Sequence, residues 1–370
     1  MNRGFLAISM FIMTLFTSVN INAESGKLLG SSSITWTLDD SGTLTVTGSG
    51  DMPNATSSTL PFKDLKSKIK SIVISGDITS VGDYVFYELT STTSLTITAP
   101  ITSTGNYSFA SCSALSTINF TNREHITTVG EATFAQCYSL TTINIPENVK
   151  TIGNHAFLLC SSLQNLTIGE NVESIGDQAF LYCYMLPHLY LPNSVKTIGA
   201  NAFEYCSGME WVTFGTSVES IGDNAFFGCS GLKRVNSLNP VPPTMNCDYD
   251  ASCDKDSGKS HNVFDKNTYD TATLRTAAGY GNVYKVADGW KHFKTSAIYT
   301  GISEVENDGV NVYGCNGEIR INGADEASLV EVYNLGGQLI YRGAEKAVAV
   351  PAGFYVVKVA GKAVKTVVKD

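Results

Sequence analysis

The chain has 370 residues, of which 43% are hydrophobic and 16% charged, and its net charge is −9. That apolar content excludes a disordered chain, and the length allows two or three domains. The acidic balance disfavours nucleic acid as a partner, because phosphate recognition needs a basic surface.

The chain opens MNRGFLAISMFIMTLFTSVNINAES. Arg3 followed by an apolar run over 5–16 and a small residue at Ala23 predicts a signal peptide over 1–23 and hence an exported protein. Later segments stay short of 18 consecutive apolar residues, so no integral membrane segment is expected once the signal is removed. Strands are predicted over 34–38 and 43–47, joined by an Asp-Ser-Gly turn, as a hairpin within an N-terminal β cap over 24–71.

Residues 72–238 repeat. Gly130, Gly153, Gly176, Gly199 and Gly222 are 23 apart, and Phe134 to Phe226 and Cys137 to Cys229 keep the same step. Looser copies precede them at Gly82 with Phe86 and at Gly105 with Phe109 and Cys112, and two extra residues fall inside TNREHITT. A fixed short period predicts a solenoid, because one unit cannot bury its apolar side chains alone but stacked units can. In LTTINIP, Leu140, Ile143 and Ile145 are expected to point inward and Thr142 and Asn144 outward, as in a short strand. Val149 and Ile152 then turn inward, Gly153 is expected to permit a bend, and the phenylalanine fills the coil.

The pattern LxxIxIPxxVxxIGxxAFxxCxxL resembles the BspA-like leucine-rich repeats of bacterial surface proteins. The resemblance implies a mainly β solenoid of 23-residue repeats and a non-enzymatic role in adhesion or recognition at the cell surface. Its partner would be an extracellular protein or glycan, on host or bacterial surfaces. Binding a glycan for nutrient capture is the alternative role. The opening ITWTLDDSGTLTVTGSGDMP is similar to the hairpin that begins members of this family.

Six of the nine cysteines share one column. Zinc sites usually announce themselves by CxxC spacing, which is missing, and a nucleophile would be singular rather than repeated six times. In-register strands put equivalent side chains about 4.7–4.9 Å apart, beyond the ~3.8 Å usual between disulfide β-carbons. A buried thiol ladder is therefore predicted, and Leu89 in the first copy shows that an aliphatic side chain serves in the column. Outside it, Cys247 and Cys253 flank CDYDASC and either bridge or stay reduced.

The row before the first inward strand residue reads Ser94, Thr117, Thr142, Asn165, His188, Trp211 and Arg234. The row between the inward residues reads Thr96, Asn119, Asn144, Thr167, Tyr190, Thr213 and Asn236. His188, Tyr190, Trp211 and Arg234 thus gather on neighbouring lattice positions as a candidate ligand-binding patch. The bland reading is that Trp211 covers the sheet and makes cross-strand pairs. Lys150, Glu173, Lys196 and Glu219 alternate in sign along another row, favouring the register. No catalytic motif of the HExxH, GxSxG or P-loop type occurs, and no catalytic residue, cofactor or metal is expected; His155 lies in a row that tolerates many residue types. Asp248, Asp250, Asp254 and Asp256 fail the EF-hand register and suit a solvated acidic loop better than a calcium site.

After Pro240 the period fails. A polar loop is expected over 240–262, then a degenerate repeat with Phe264 in the phenylalanine role. Tyr284, Trp290 and Phe293 are expected to close the array within 239–300, and GYGNVY lacks the strand that a dinucleotide site needs. Residues 301–370 alternate as a small β-sandwich in EIRIN, LVEVYNL, QLIYRG, GFYVVKVAG and AVKTVVKD. VYNLGGQLIYRG, PAGFYVVKV and KTVVKD resemble type IX secretion sorting domains, which are in many cases cleaved. An accessory sandwich that stays attached is the other reading.

Overall fold

The computed structural model describes residues 23–245, 262–277, 279–298, 311–315, 318–322, 329–334, 338–350, 353–359 and 362–368. The signal peptide, apart from Ala23, lies outside them, as do Cys247, Cys253 and the acidic loop between 248 and 256.

Each repeat makes one turn of a coil with three sides. The first side carries parallel strands of three to ten residues, paired in three successive groups. It starts at Ser71–Ser80, Ser94–Ile97 and Thr117–Phe120 and continues through the paired strands Thr142–Asn144 and Asn165–Thr167. It then runs in register through His188–Tyr190, Trp211–Phe214, Arg234–Ser237, Thr273–Thr276 and Thr295–Ile298. The second side is a ladder of two-residue strands from Thr128–Val129 to Ser220–Ile221, each paired with the next. Thr244–Met245 joins that ladder beside Ser220–Ile221, where a polar loop was expected; the pairing keeps the register although the 23-residue spacing has gone. At the other end, Ile34–Leu38 pairs antiparallel with Thr43–Asp51, which runs parallel to Ser71–Ser80 and so covers the first rung's edge. Glu24–Lys27 adds an outer antiparallel strand.

The third side, GxxAFxxC, corrects one expectation. The array glycines do not carry the bend. A Cβ on Gly176 would lie 2.6 Å from the backbone nitrogen of Asn154 and 2.8 Å from the carbonyl carbon of Gly153, so glycine is required because successive rungs touch there. The left-handed conformation falls two residues later, at Tyr84, Tyr107, Ala132, His155, Gln178, Asn201 and Asn224, with φ from 48 to 58°. It recurs at Glu88, Ser111, Gln136, Leu159, Tyr182 and Tyr205, with φ from 56 to 64°. Such backbone persists only where its surroundings hold it. Here the alternation aims every second amide at the next rung: His155, Phe157 and Leu159 donate to the carbonyls of Asp177, Ala179 and Leu181 at 2.7–2.8 Å. The amides between them close local turns, Ala156 donating to Gly153 and Leu158 to His155.

Inside the coil the phenylalanines stack. Neighbouring ring centroids from Phe62 through Phe226 to Phe264 are 5.0–5.7 Å apart, with planes within 19°. The two extra residues between Phe109 and Phe134 leave the stack intact at 5.4 Å. Phe62 extends it into the cap, where Trp36 meets its ring edge-on at 5.6 Å. The array closes over Tyr269, Tyr284 and Trp290, all 1% exposed. Trp290 donates its indole N–H to the Pro243 carbonyl at 2.8 Å, and the Tyr284 hydroxyl donates to the Asn239 carbonyl at 3.0 Å.

Beyond 310 two antiparallel sheets share one small core. One pairs Asn311–Cys315, Glu318–Asn322 and Ala347–Ala349; the other pairs Leu339–Gly343, Val330–Asn334, Gly353–Val359 and Lys362–Val368. Ile319, Ile321 and Val348 of the first face Val330, Val332 and Val357 of the second. Asn311–Cys315 was not anticipated, since NVYGC shows no clear alternation and carries a glycine.

Candidate functional site

The thiol column is structural. Cys112, Cys137, Cys160, Cys183, Cys206 and Cys229 are free and buried. Each donates its S–H to the carbonyl of a phenylalanine on the preceding rung, at 3.2 to 3.5 Å; Cys160, for example, bonds Phe134. Burial pushes the thiols of Cys112 and Cys160 up to about 12, which disfavours the thiolate that attack or metal binding would need. Among the described residues no three His, Cys, Asp or Glu side chains converge as a metal site.

The strand side brings the four expected binding residues together. Register pairs His188 with Trp211 and Trp211 with Arg234, and pairs Tyr190 with Thr213 in the adjoining row. The imidazole of His188 stacks on the Trp211 indole, centroids 4.6 Å apart and planes 15° from parallel. His188 is exposed, whereas Tyr190, Trp211 and Arg234 are half-buried. Thr213 and Asn236, expected to face solvent, are 3% and 6% exposed. Larger residues flank them: Tyr190 and Arg275 continue their own row, and Trp211 and Arg234 stand in the next. Asn236 donates its amide to the Thr213 hydroxyl at 2.9 Å, which satisfies one polar pair under this cover.

The patch carries mixed charge. Lys233 pairs with Glu210 at 3.1 Å and holds that carboxyl below the usual range, with His188 and Arg234 acting in the same direction. Towards the N-terminus the same face is small and polar, Asn165 reaching Thr142 at 3.4 Å. Within the predicted charge row, Lys196 and Glu173 meet at 2.7 Å on neighbouring rungs.

Residues 61–187 and 127–242 match the BspA type leucine rich repeat region, in six copies. The repeat array belongs to the BspA-type leucine-rich repeat family. No curated protein matches the chain. Among solved structures, a leucine rich cell surface protein from Faecalibacterium prausnitzii is 21% identical, the match covering 56% of this chain and 69% of that one at a TM-score of 0.41. A leucine-rich repeat protein from Eubacterium ventriosum is 19% identical over 75% of this chain and 86% of its own, at a TM-score of 0.37. The leucine rich repeat protein of T. pallidum is 21% identical over 56% and 83%, at a TM-score of 0.36.

In this BspA-type array, sequence reasoning missed Arg275. The segment TATLRT reads as one more strand of the lattice, and its arginine occupies the row of Tyr190, Thr213 and Asn236. Continuing the row past the polar insertion would have found it. No described helix is long and apolar enough to cross a membrane.

Proposed function

We propose that this is an exported, non-enzymatic bacterial surface protein that recognises macromolecules of host or bacterial surfaces through the strand face around Trp211. One observation carries the reading. A lattice that is small and polar over its first rungs changes, within three consecutive strands, to stacked His188 and Trp211 beside Tyr190 and Arg234. Aromatic and arginine side chains on a rigid sheet supply contact area at little entropic cost, which suits an adhesive surface. Export rests on the pattern of residues 1–23. Residues 24–71 serve as the cap, 72–238 as the repeats and 239–300 as the closing segment. Residues 301–370 act as a sorting tail or as a permanent accessory sandwich, and the mass of the secreted chain, ending at Asp370 or not, separates those two.

The test replaces Trp211 and Tyr190 by alanine and compares binding to immobilised extracellular-matrix proteins and to a glycan array, with melting temperature as control. Lost binding at unchanged melting temperature is the expected result. Altered melting with binding intact would reduce the patch to sheet cover. A response on the glycan array alone favours the second reading, capture of sugars, which the stacked rings also suit.

A further inference from the structure

A second polar site lies at the far end of the array, away from the strand-face patch. Strand Thr295–Ile298 is the last rung, and its register sets Ser296 beside the inward-pointing Leu274. Earlier rungs place a large apolar residue there, such as Leu189 or Val212. Ser296 and Ala297 are instead exposed, and a cavity of about 450 Å³ opens between this strand, the helix Gly281–Tyr284 and the turn Trp290–His292. Its buried wall comes from Leu274, Tyr284, Trp290 and Phe293, while Thr276, Asn282 and Ser296 add hydroxyl and amide groups.

Three lysines reach this cavity from separate segments: Lys285 at the end of the helix, Lys291 in the turn and Lys294 before the strand. All three are exposed, so they rim the opening while the rings form its floor. Lys291 pairs with Asp288 at 2.7 Å and Lys294 with Asp270 at 2.8 Å. Asp270 is shared with Lys266, and among the described residues Lys285 makes no ion pair. Three lysines against two aspartates leave this rim with a positive balance among the described residues, in a chain of net charge −9, which suits an anion.

We infer that this cavity binds a sugar carrying an acidic group. Inorganic anions are far smaller than the volume, which lies within the roughly 300–1,000 Å³ of organic-ligand pockets. An apolar floor suits the C–H face of a sugar ring, the hydroxyl and amide groups suit its hydroxyls, and the lysines suit a carboxylate or sulfate.

The full-length secreted chain is titrated by calorimetry with glucuronate, glucose 6-sulfate, glucose and sodium sulfate. Both acidic sugars bind, the tighter of them identifying the anion, and glucose binds at least about tenfold more weakly, as expected when a charge-assisted contact is lost. Lys285→Glu weakens the acidic sugars by at least about tenfold without changing the melting temperature, and Lys285→Gln replaces it should the melting temperature fall. Trp211→Ala leaves this binding unaltered. Equal affinity for glucose and glucuronate, sulfate binding as tightly as glucose 6-sulfate, or indifference to both Lys285 substitutions would each overturn the assignment.

Discussion

The interior of the array and its strand face obey opposite rules. Along the phenylalanine and cysteine columns one residue type recurs rung after rung, because every rung offers the next the same ring spacing and the same S–H to carbonyl bond. On the strand face the rungs also stack, though strand pairing lapses on either side of Thr142–Asn144 and Asn165–Thr167, and Asn165, His188, Trp211 and Arg234 succeed one another with no residue type repeated. Repetition marks what the coil needs, and variation marks where it is free to differ.

The harshest way to break the contrast is to empty one interior rung. Phe180→Ala should cost about 3–5 kcal/mol in denaturant unfolding, and Phe134→Ala the same within about 1 kcal/mol if the rungs are equivalent. Gly176→Ala should cost about 1–3 kcal/mol or more, because a methyl group cannot fit against Gly153 and Asn154 without parting the rungs. Cys160→Ser should lose about 1 kcal/mol through burial of a more polar group, and in the intact protein the six column thiols should stay unlabelled at pH 8 until it unfolds. Trp211→Ala, on the variable face, should change stability by less than about 1 kcal/mol while removing binding.

The smallest effect concerns Glu170, whose carboxyl is raised above the usual range by burial and by Glu147 beside it. A raised acid is destabilising while charged, above its folded pKa, and the cost disappears below its unfolded value. Glu170→Gln should therefore raise the melting temperature slightly at pH 7 and leave it unchanged near pH 4, as read by calorimetric scans.

Repetition also decided what could be read in advance. The 23-residue step announced the solenoid, the buried phenylalanines and the free thiols, since each column repeats its own evidence. It did not announce the left-handed backbone at Tyr84 or Leu159, because residues in those rows share a conformation and no composition. It placed the bend at glycine, the residue usually associated with such a conformation, where the actual demand was contact between rungs. Phe62 escaped because it falls 24 rather than 23 residues before Phe86, and Thr244 and Arg275 because the insertion after Pro240 breaks the count. The four patch residues were legible from register alone. The burial of Thr213 and Asn236 was not, as it depends on how bulky neighbours lean over them.

The even spacing of the stacked rings makes the array a measuring rod. Each repeat lifts everything after it by one strand separation, about 5 Å, without altering any side chain on the rungs already laid down. Duplicating a repeat in the polar stretch between Thr96 and Asn144 would carry the Trp211 face one step farther from the cap. Reach and recognition are therefore separable in this chain: copying a repeat changes the first, and substituting a single outward residue changes the second.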